Sequence, residues 1–183
     1  MLAEYQSLRQ ESLQAITNRI SVVNFTFGAM SVILAGLLTR KVSDLLGGLI
    51  AVLIAPQVAK AGLLIWLGEY NRSQRAGRWI AGLESRINLL VADSSMGWEQ
   101  GLATGDTHMS YPYRANVFIT AGLGYASEGL GVYLLALQMR SLSNGALALV
   151  VVLLAAAIVA LEGGFLWYFS RRWRTAVSGE AES

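Results

Sequence analysis

Four blocks of apolar residues divide this chain, each about as long as the ~20 residues that carry an α-helix across a ~30 Å hydrocarbon layer. They lie at 20–38 (ISVVNFTFGAMSVILAGLL), 46–68 (LGGLIAVLIAPQVAKAGLLIWLG), 115–137 (ANVFITAGLGYASEGLGVYLLAL) and 146–169 (ALALVVVLLAAAIVALEGGFLWYF). Membrane-spanning strands alternate polar and apolar residues over ~10 positions, whereas these blocks are apolar on every side for twice that length, so helices are expected rather than a barrel. Composition agrees: 54% of the residues are hydrophobic and 14% charged, against about 25% charged in soluble domains. The predicted fold is all-α, a polytopic membrane protein with four transmembrane helices arranged as two hairpins with cytoplasmic amphipathic helical extensions.

Nineteen mostly polar residues precede the first block, without a basic-then-apolar opening or an A-x-A-like site, so that block is expected to stay in the mature protein. Orientation follows from the basic residues beside the spans, which are retained on the cytoplasmic side. Arg9, Arg19, Arg72, Arg75, Arg78, Arg86, Arg114, Arg171, Arg172 and Arg174 fall on one face, and only Arg40, Lys41 and Arg140 on the other. Both termini and the long central segment are therefore predicted cytoplasmic. The expected organisation is a cytoplasmic amphipathic helix at 1–19, a first transmembrane hairpin at 20–70, a second cytoplasmic amphipathic helix at 71–92, a loop at 93–114, a second hairpin at 115–170 and a tail at 171–183.

Outside the spans the chain is short but patterned. Tyr5, Leu8, Leu13, Ile16 and Ile20 fall near one helical face of the first extension. Ala76, Trp79, Ile80, Leu83, Ile87 and Leu90 recur at steps of three and four in the second, with Arg72, Arg75, Arg78, Glu84 and Arg86 on the other side. The two stripes can pack on each other, on a soluble partner or on the membrane surface; Trp79, Ile80, Leu83 and Ile87 are the candidate partner interface. Trp98, Tyr111 and Tyr113 in the middle loop suit an interfacial depth, as do Arg171, Arg172 and Arg174 behind the aromatic run FLWYF.

Chemistry is sparse. There is no cysteine, and His108 is the only histidine, read as a solvated loop residue. Glu69, Glu128 and Glu162 are the acidic residues in or beside the apolar blocks, and none has metal-ligand spacing. The glycine-rich GLGYASEGLG lies inside a span, where small residues serve helix packing rather than phosphate binding. No enzyme, cofactor or metal is expected. The basic residues of the central segment are balanced by Glu69, Glu84, Asp93, Glu99 and Asp106, so nucleic acid is not an expected partner either.

The opening EYQSLRQE, the four-span layout, the block WLGEYNRSQRAGRWIAGLESRIN and the GWEQ of the middle loop together resemble a set of small, uncharacterised bacterial four-span membrane proteins. These share E-Y-x-x-L-R-x-E near the start and a Gly-Trp-Glu in the middle loop. The resemblance covers the first ~100 residues best, implies an inner-membrane location and supplies no catalytic residues. The layout alone also resembles the membrane subunits of anti-phage systems.

Within the spans, helices associate through small residues and interhelical polar contacts. Ala51, Ala55 and Ala59 line one face of the second span, and Ala156, Ala160 and Gly164 one face of the fourth. The third has two such faces, Gly122, Ala126 and Gly129 on one and Gly124, Ser127 and Gly131 on another, one more than a single neighbour requires, so a homo-oligomer is expected. Pro56 is expected to kink the second span, leaving a carbonyl that Gln57 or a neighbouring chain can satisfy. Lys60, Glu128 and Glu162 lie at membrane depth, where an isolated charge costs at least ~2.5 kcal/mol. Lys60 and Glu162 fall at similar depth and can pair; alternatively Gln57, Lys60 and Glu128 line a hydrated path, or Lys60 snorkels to the interface. The functional expectation is an oligomeric channel or membrane-perturbing effector with a signalling or defence-like role, the alternatives being a non-conducting anchor that recruits a soluble partner on the cytoplasmic side, or a small transporter.

Overall fold

A computed structural model describes residues 2–39, 44–92, 97–99, 101, 110–139 and 145–178; in the last stretch side chains are described at 153, 157, 158 and 160–175. Among the described residues the chain is helical throughout, without a strand. Helix α1 spans Leu2–Leu38. Its 37 residues cover about 55 Å at ~1.5 Å each, nearly twice a hydrocarbon layer, and no proline interrupts them. The expected cytoplasmic helix and first span are therefore one continuous rod.

A short helix, α2 (Asp44–Leu49), runs through a π-helical turn at Ile50–Ile54 into the long α3 (Ala55–Val91). The Ala55 N–H donates to the Ile50 carbonyl, five residues back instead of four. Pro56 explains the wide turn. A proline ring presses on the carbonyl four residues earlier and offers no N–H to it, and a π turn makes room for both defects. The kink expected at Pro56 thus takes the form of an extra residue wound in just before it. Beyond it α3 continues unbroken, so the expected boundary between the second span and the cytoplasmic helix falls inside one helix. It stops where Ala92 turns to a left-handed φ of 54°.

Helices α4 (Ser110–Met139) and α5 (Gly145–Ser178) complete the chain. Within the loop expected at 93–114, residues 98, 99 and 101 are helical and residues 110–114 already belong to α4. Pro112 does not prevent this, because in the first turn of a helix its missing N–H has no partner to lose. The tail expected from 171 is helical as far as Ser178. Two stretches, Leu2–Leu38 and Leu45–Val91, are long and apolar enough to cross a membrane.

The chain forms two compact units. One comprises residues 1–24 and 65–118, and its interior holds Ala15, Trp66, Leu67, Tyr70, Ala76, Ile80 and Leu83. The other comprises residues 25–64 and 119–183, around Met30, Ala55 and Ala59 with Ile33, Val58 and Leu123 against them. In this second unit two glycines let backbones meet. A Cβ on Gly131 would stand 2.8 Å from the Gly48 carbonyl oxygen, and one on Gly48 would stand 2.7 Å from Leu135 Cγ. Ala51 and Ala55, fully buried, continue the same close-packed face.

Gly131→Ala is accordingly expected to cost about 1–3 kcal/mol, because the obstacle is backbone that cannot rotate away. Gly122→Ala, with nothing within 4 Å of its would-be Cβ, should be neutral or slightly stabilising. Thermal melts in detergent followed by circular dichroism would check the contrast; equal melting of the two variants contradicts it.

Candidate functional site

Two polar clusters stand out, one in each unit. In the second unit α3 supplies Lys60, α4 supplies Glu128 and α5 supplies Glu162. The Lys60 ammonium donates to Glu162 Oε1 and lies 3.8 Å from Glu128 Oε1. Its Nζ also stands 5.7 Å from the centre of the Phe165 ring. All three side chains are largely withdrawn from the surface, 12–14% exposed. Pro56, Ala59, Leu63, Ala121, Gly124, Tyr125 and Phe165 wall the recess they share, which has room for about one water molecule. Glycine at 124 keeps α4 close to α3: a Cβ there would approach Ala59 Cβ to 3.2 Å.

The charge count is unequal. Two carboxylates face one ammonium, so with every group ionised the cluster carries one negative charge in apolar surroundings. Glu162 Oε2 is buried and accepts no hydrogen bond among the described residues. The cation is thus shared between two acids, one of which retains a free acceptor. Such an arrangement can hold three helices together, and it can also take up one further positive charge.

Gln57, expected beside Lys60, is exposed and does not line the recess. At three residues' separation along α3 the two side chains diverge by about 60°, enough to put one inside and the other out. Pro56 is buried against the cluster. Snorkelling of Lys60 is replaced by inward pairing.

The first unit is held by a polar network. Arg9 Nη1 donates to the Tyr5 hydroxyl at 3.3 Å, which donates to Glu84 Oε1 at 3.3 Å. Glu84, only 1% exposed, also accepts the backbone N–H of Glu99 at 3.1 Å. This ties the GWEQ segment to α1 and α3. Arg72 Nε donates to Glu11 Oε1 at 2.9 Å, and Asn18 Nδ2 donates to Glu69 Oε1 at 3.4 Å. Arg19, 7% exposed, lies over two rings, 5.5 Å from the centre of Tyr70 and 5.3 Å from that of Tyr113. Tyr70 stacks on Trp66 at 5.7 Å and meets Tyr113 edge-on at 5.3 Å. Neither the Arg19 box nor the Glu84 anchor was legible in the sequence, where Arg19 counted only among the basic residues that set orientation and Glu84 read as the polar side of an amphipathic helix.

The candidate interfacial residues divide. Trp98 is 64% exposed, as expected of a surface anchor. Tyr113 is half-buried against Arg19, Trp66 and Tyr70, so it is a packing residue instead. The Tyr111 side chain and His108 lie outside the described residues. Arg171, Arg172 and Arg174 are exposed on α5, the first two over Trp167 and Tyr168 at 5.7 Å each. Of the candidate partner face, Ile80 and Leu83 are buried at 1% and 5% exposure and Ile87 is half-buried, while Trp79 is 66% exposed. Ile80 and Leu83 therefore belong to the interior of the unit and leave Trp79 alone on the outside. Likewise α1 turns Ala15 and Arg19 inward and leaves Leu13, Ile16 and Ile20 exposed.

Burial pushes the Glu99 carboxyl above its ordinary range, the negative charge of Glu84 adds to the shift and Arg9 opposes it. A carboxyl whose pKa is raised by folding favours the fold when protonated, so docking of the GWEQ segment is tightest in acid and loosens as pH rises through that raised value. Amide exchange at residues 97–99 should show this loosening as pH rises above the ordinary carboxylate range, after correction for intrinsic rates, and Glu99→Gln should abolish it. Glu84→Ala, which strands the Tyr5 hydroxyl and the Glu99 N–H, should cost about 1–3 kcal/mol in thermal or denaturant unfolding. No family model, curated protein or solved structure matches this chain, so the role of both clusters has to be argued from their chemistry.

Proposed function

We propose that the chain is a four-span protein of the bacterial inner membrane, with both termini cytoplasmic, that assembles as a homo-oligomer and uses the Lys60–Glu128–Glu162 cluster to control the passage of protons or small cations in a signalling or defence-like role. The observation that carries this reading is the cluster itself, three ionisable groups at span depth on three different helices. Charges there are costly and mark ion paths, proton relays or paired locks. The unequal count favours a group that exchanges a proton: one proton on the two carboxyls neutralises the cluster and gives Glu162 Oε2 its missing donor. A recess holding about one water corresponds to a closed state with the Lys60 ammonium across the way.

The membrane setting is supported by large apolar side chains that face outward on the helices, among them Phe25 at 76%, Val32 at 73%, Phe118 at 76% and Leu161 at 68% exposure. Assembly is supported by the third span. Gly124, Ser127 and Gly131 are used inside the unit, whereas Gly122, Ala126 and Gly129 are exposed. Ala160 and Gly164 on α5 are exposed as well, and the Ala156 side chain lies outside the described residues. A second reading, a non-conducting anchor for a soluble partner, is favoured by the compact first unit.

Liposome flux measurements separate the two. Lys60→Ala should raise proton or cation leak severalfold and Glu128→Gln should lower it, with the oligomer retained on crosslinking; leak unchanged in both variants, or indistinguishable from empty liposomes, would falsify the conducting role. Crosslinking in native membranes should yield oligomers that Ala126→Leu depletes, and monomer alone from the unsubstituted protein would count against assembly.

A further inference from the structure

The turn-by-turn exposure of α3 in the first unit divides it into two sides. Ser73, Ala76, Ile80, Leu83 and Glu84 are buried. Arg75, Arg78, Trp79, Gly82, Arg86, Leu89 and Leu90 are all exposed. At ~100° per residue these seven positions fall within an arc of about 120°, a single stripe about 22 Å long. Trp79 is 66%, Leu89 82% and Leu90 72% exposed. No acidic residue lies on the stripe, since Glu69 and Glu84, the acidic residues of α3, point to other sides. Among the described residues Arg75, Arg78 and Arg86 make no ion pair.

We infer that this stripe docks an acidic amphipathic helix of a soluble protein, with carboxylates meeting Arg75, Arg78 and Arg86 and apolar side chains covering Trp79, Leu89 and Leu90. Charge complementarity selects the occupant. A second copy would bring three arginines against three arginines. The bilayer that α3 crosses is too far from most of the stripe: Arg86 lies 18 positions, about 27 Å, along the helix beyond Gly68, where the second span is expected to end. Headgroup attraction fades over a Debye length of about 8 Å. Tryptophan and arginine are the residues on which protein interfaces concentrate their binding energy. Gly82, without a side chain between Trp79 and Arg86, leaves a shallow notch for a partner side chain. This inference sharpens the anchor reading and is independent of whether the Lys60 cluster conducts.

The test uses the full chain in nanodiscs of neutral phosphatidylcholine and a labelled synthetic peptide, a helix with leucine and phenylalanine along one face and glutamates flanking them, compared with the same peptide carrying lysines. The glutamate peptide should bind saturably and salt-sensitively, and the lysine peptide should not bind. Replacing Arg75, Arg78 and Arg86 together by Gln should weaken binding by about tenfold. Replacing all three by Glu should transfer the preference to the lysine peptide, and Trp79→Ser should weaken both complexes. All these positions are exposed, so helix content and thermal midpoint should stay at their original values. The inference is overturned by equal binding of the two peptides, by no saturable binding, or by a charge-reversed protein that keeps its preference. It is also overturned if phosphatidylglycerol vesicles or a short DNA duplex, but not the glutamate peptide, bind through the three arginines, or if their replacement by Gln abolishes self-association. Ion flux in liposomes should be the same with and without the arginine substitutions, so failure here leaves the conducting role to its own measurement.

Discussion

A charge in the middle of an apolar helix has to be answered by another charge, and in the second unit this requirement organises everything around Lys60. The ammonium meets Glu162 from α5 and lies within ion-pair reach of Glu128 from α4, so one side chain fixes three helices. Buried ion pairs are poor net stabilisers, because removing both ions from water offsets most of their attraction. Their value is specificity: a carboxylate left without Lys60 in these surroundings is strongly unfavourable, and few alternative packings of α3, α4 and α5 avoid that. Two acids for one base adds something a structural lock does not need. A simple lock is complete with one carboxylate, and the second leaves the cluster able to change its charge by one without breaking apart.

The close approach of backbones serves the same contact. Lys60 comes within reach of Glu128 because α3 and α4 are separated by little more than Ala59 and Gly124. Gly48 and Gly131 bring α2 and α4 into backbone contact as well. Pro56 belongs to this arrangement through the π turn that precedes it, which resets the rotational register of the helix one turn before Lys60. A proline that in isolation looks like damage to a span is thus the element that rotates the functional residue relative to the first part of the hairpin.

Much of this was legible because membrane chemistry leaves few choices. The apolar blocks dictated helices, and depth counting put Lys60 and Glu162 at similar depth, so that their pairing was one of three readings open, and it is the one observed. The small-residue face Ala51, Ala55 and Ala59 announced a helix contact, and all three are buried. Periodicity failed where an interior is polar. In α1 the apolar residues Leu13, Ile16 and Ile20 marked out a face that is exposed, while Ala15 and Arg19 turn inward. Hydrophobic patterning assumes that buried means apolar, and a guanidinium lying over two tyrosines or a carboxylate capping a backbone N–H breaks that assumption. Gln57 failed for a simpler reason, since adjacency in sequence to Pro56 says nothing about which side of α3 it faces. The loop boundary failed because Ser110–Arg114 were read with the polar stretch before them, whereas they form the first turn of α4, where Pro112 has no helical N–H partner to lose.

The first unit shows what a long continuous helix permits. Because α3 is one helix from Ala55 to Val91, residues 65–91 continue a helix begun in its apolar stretch, and the nucleation cost has been met there. Its exposed side is then free from the demands of folding. That side carries arginines, a tryptophan and leucines rather than the glutamates and lysines that would make it inert. A solvated helix face has no need of Trp79, Leu89 and Leu90, each more than 60% exposed. Their presence beside arginines that make no ion pair among the described residues is a departure from what solubility favours, and exposed apolar surface of this kind is characteristic of a face covered by a partner. The polar network beneath, from Arg9 through Tyr5 and Glu84 to Glu99, keeps the buried side of the same helix in place, so the two sides are tuned separately: one to hold the unit together, the other to meet something outside it.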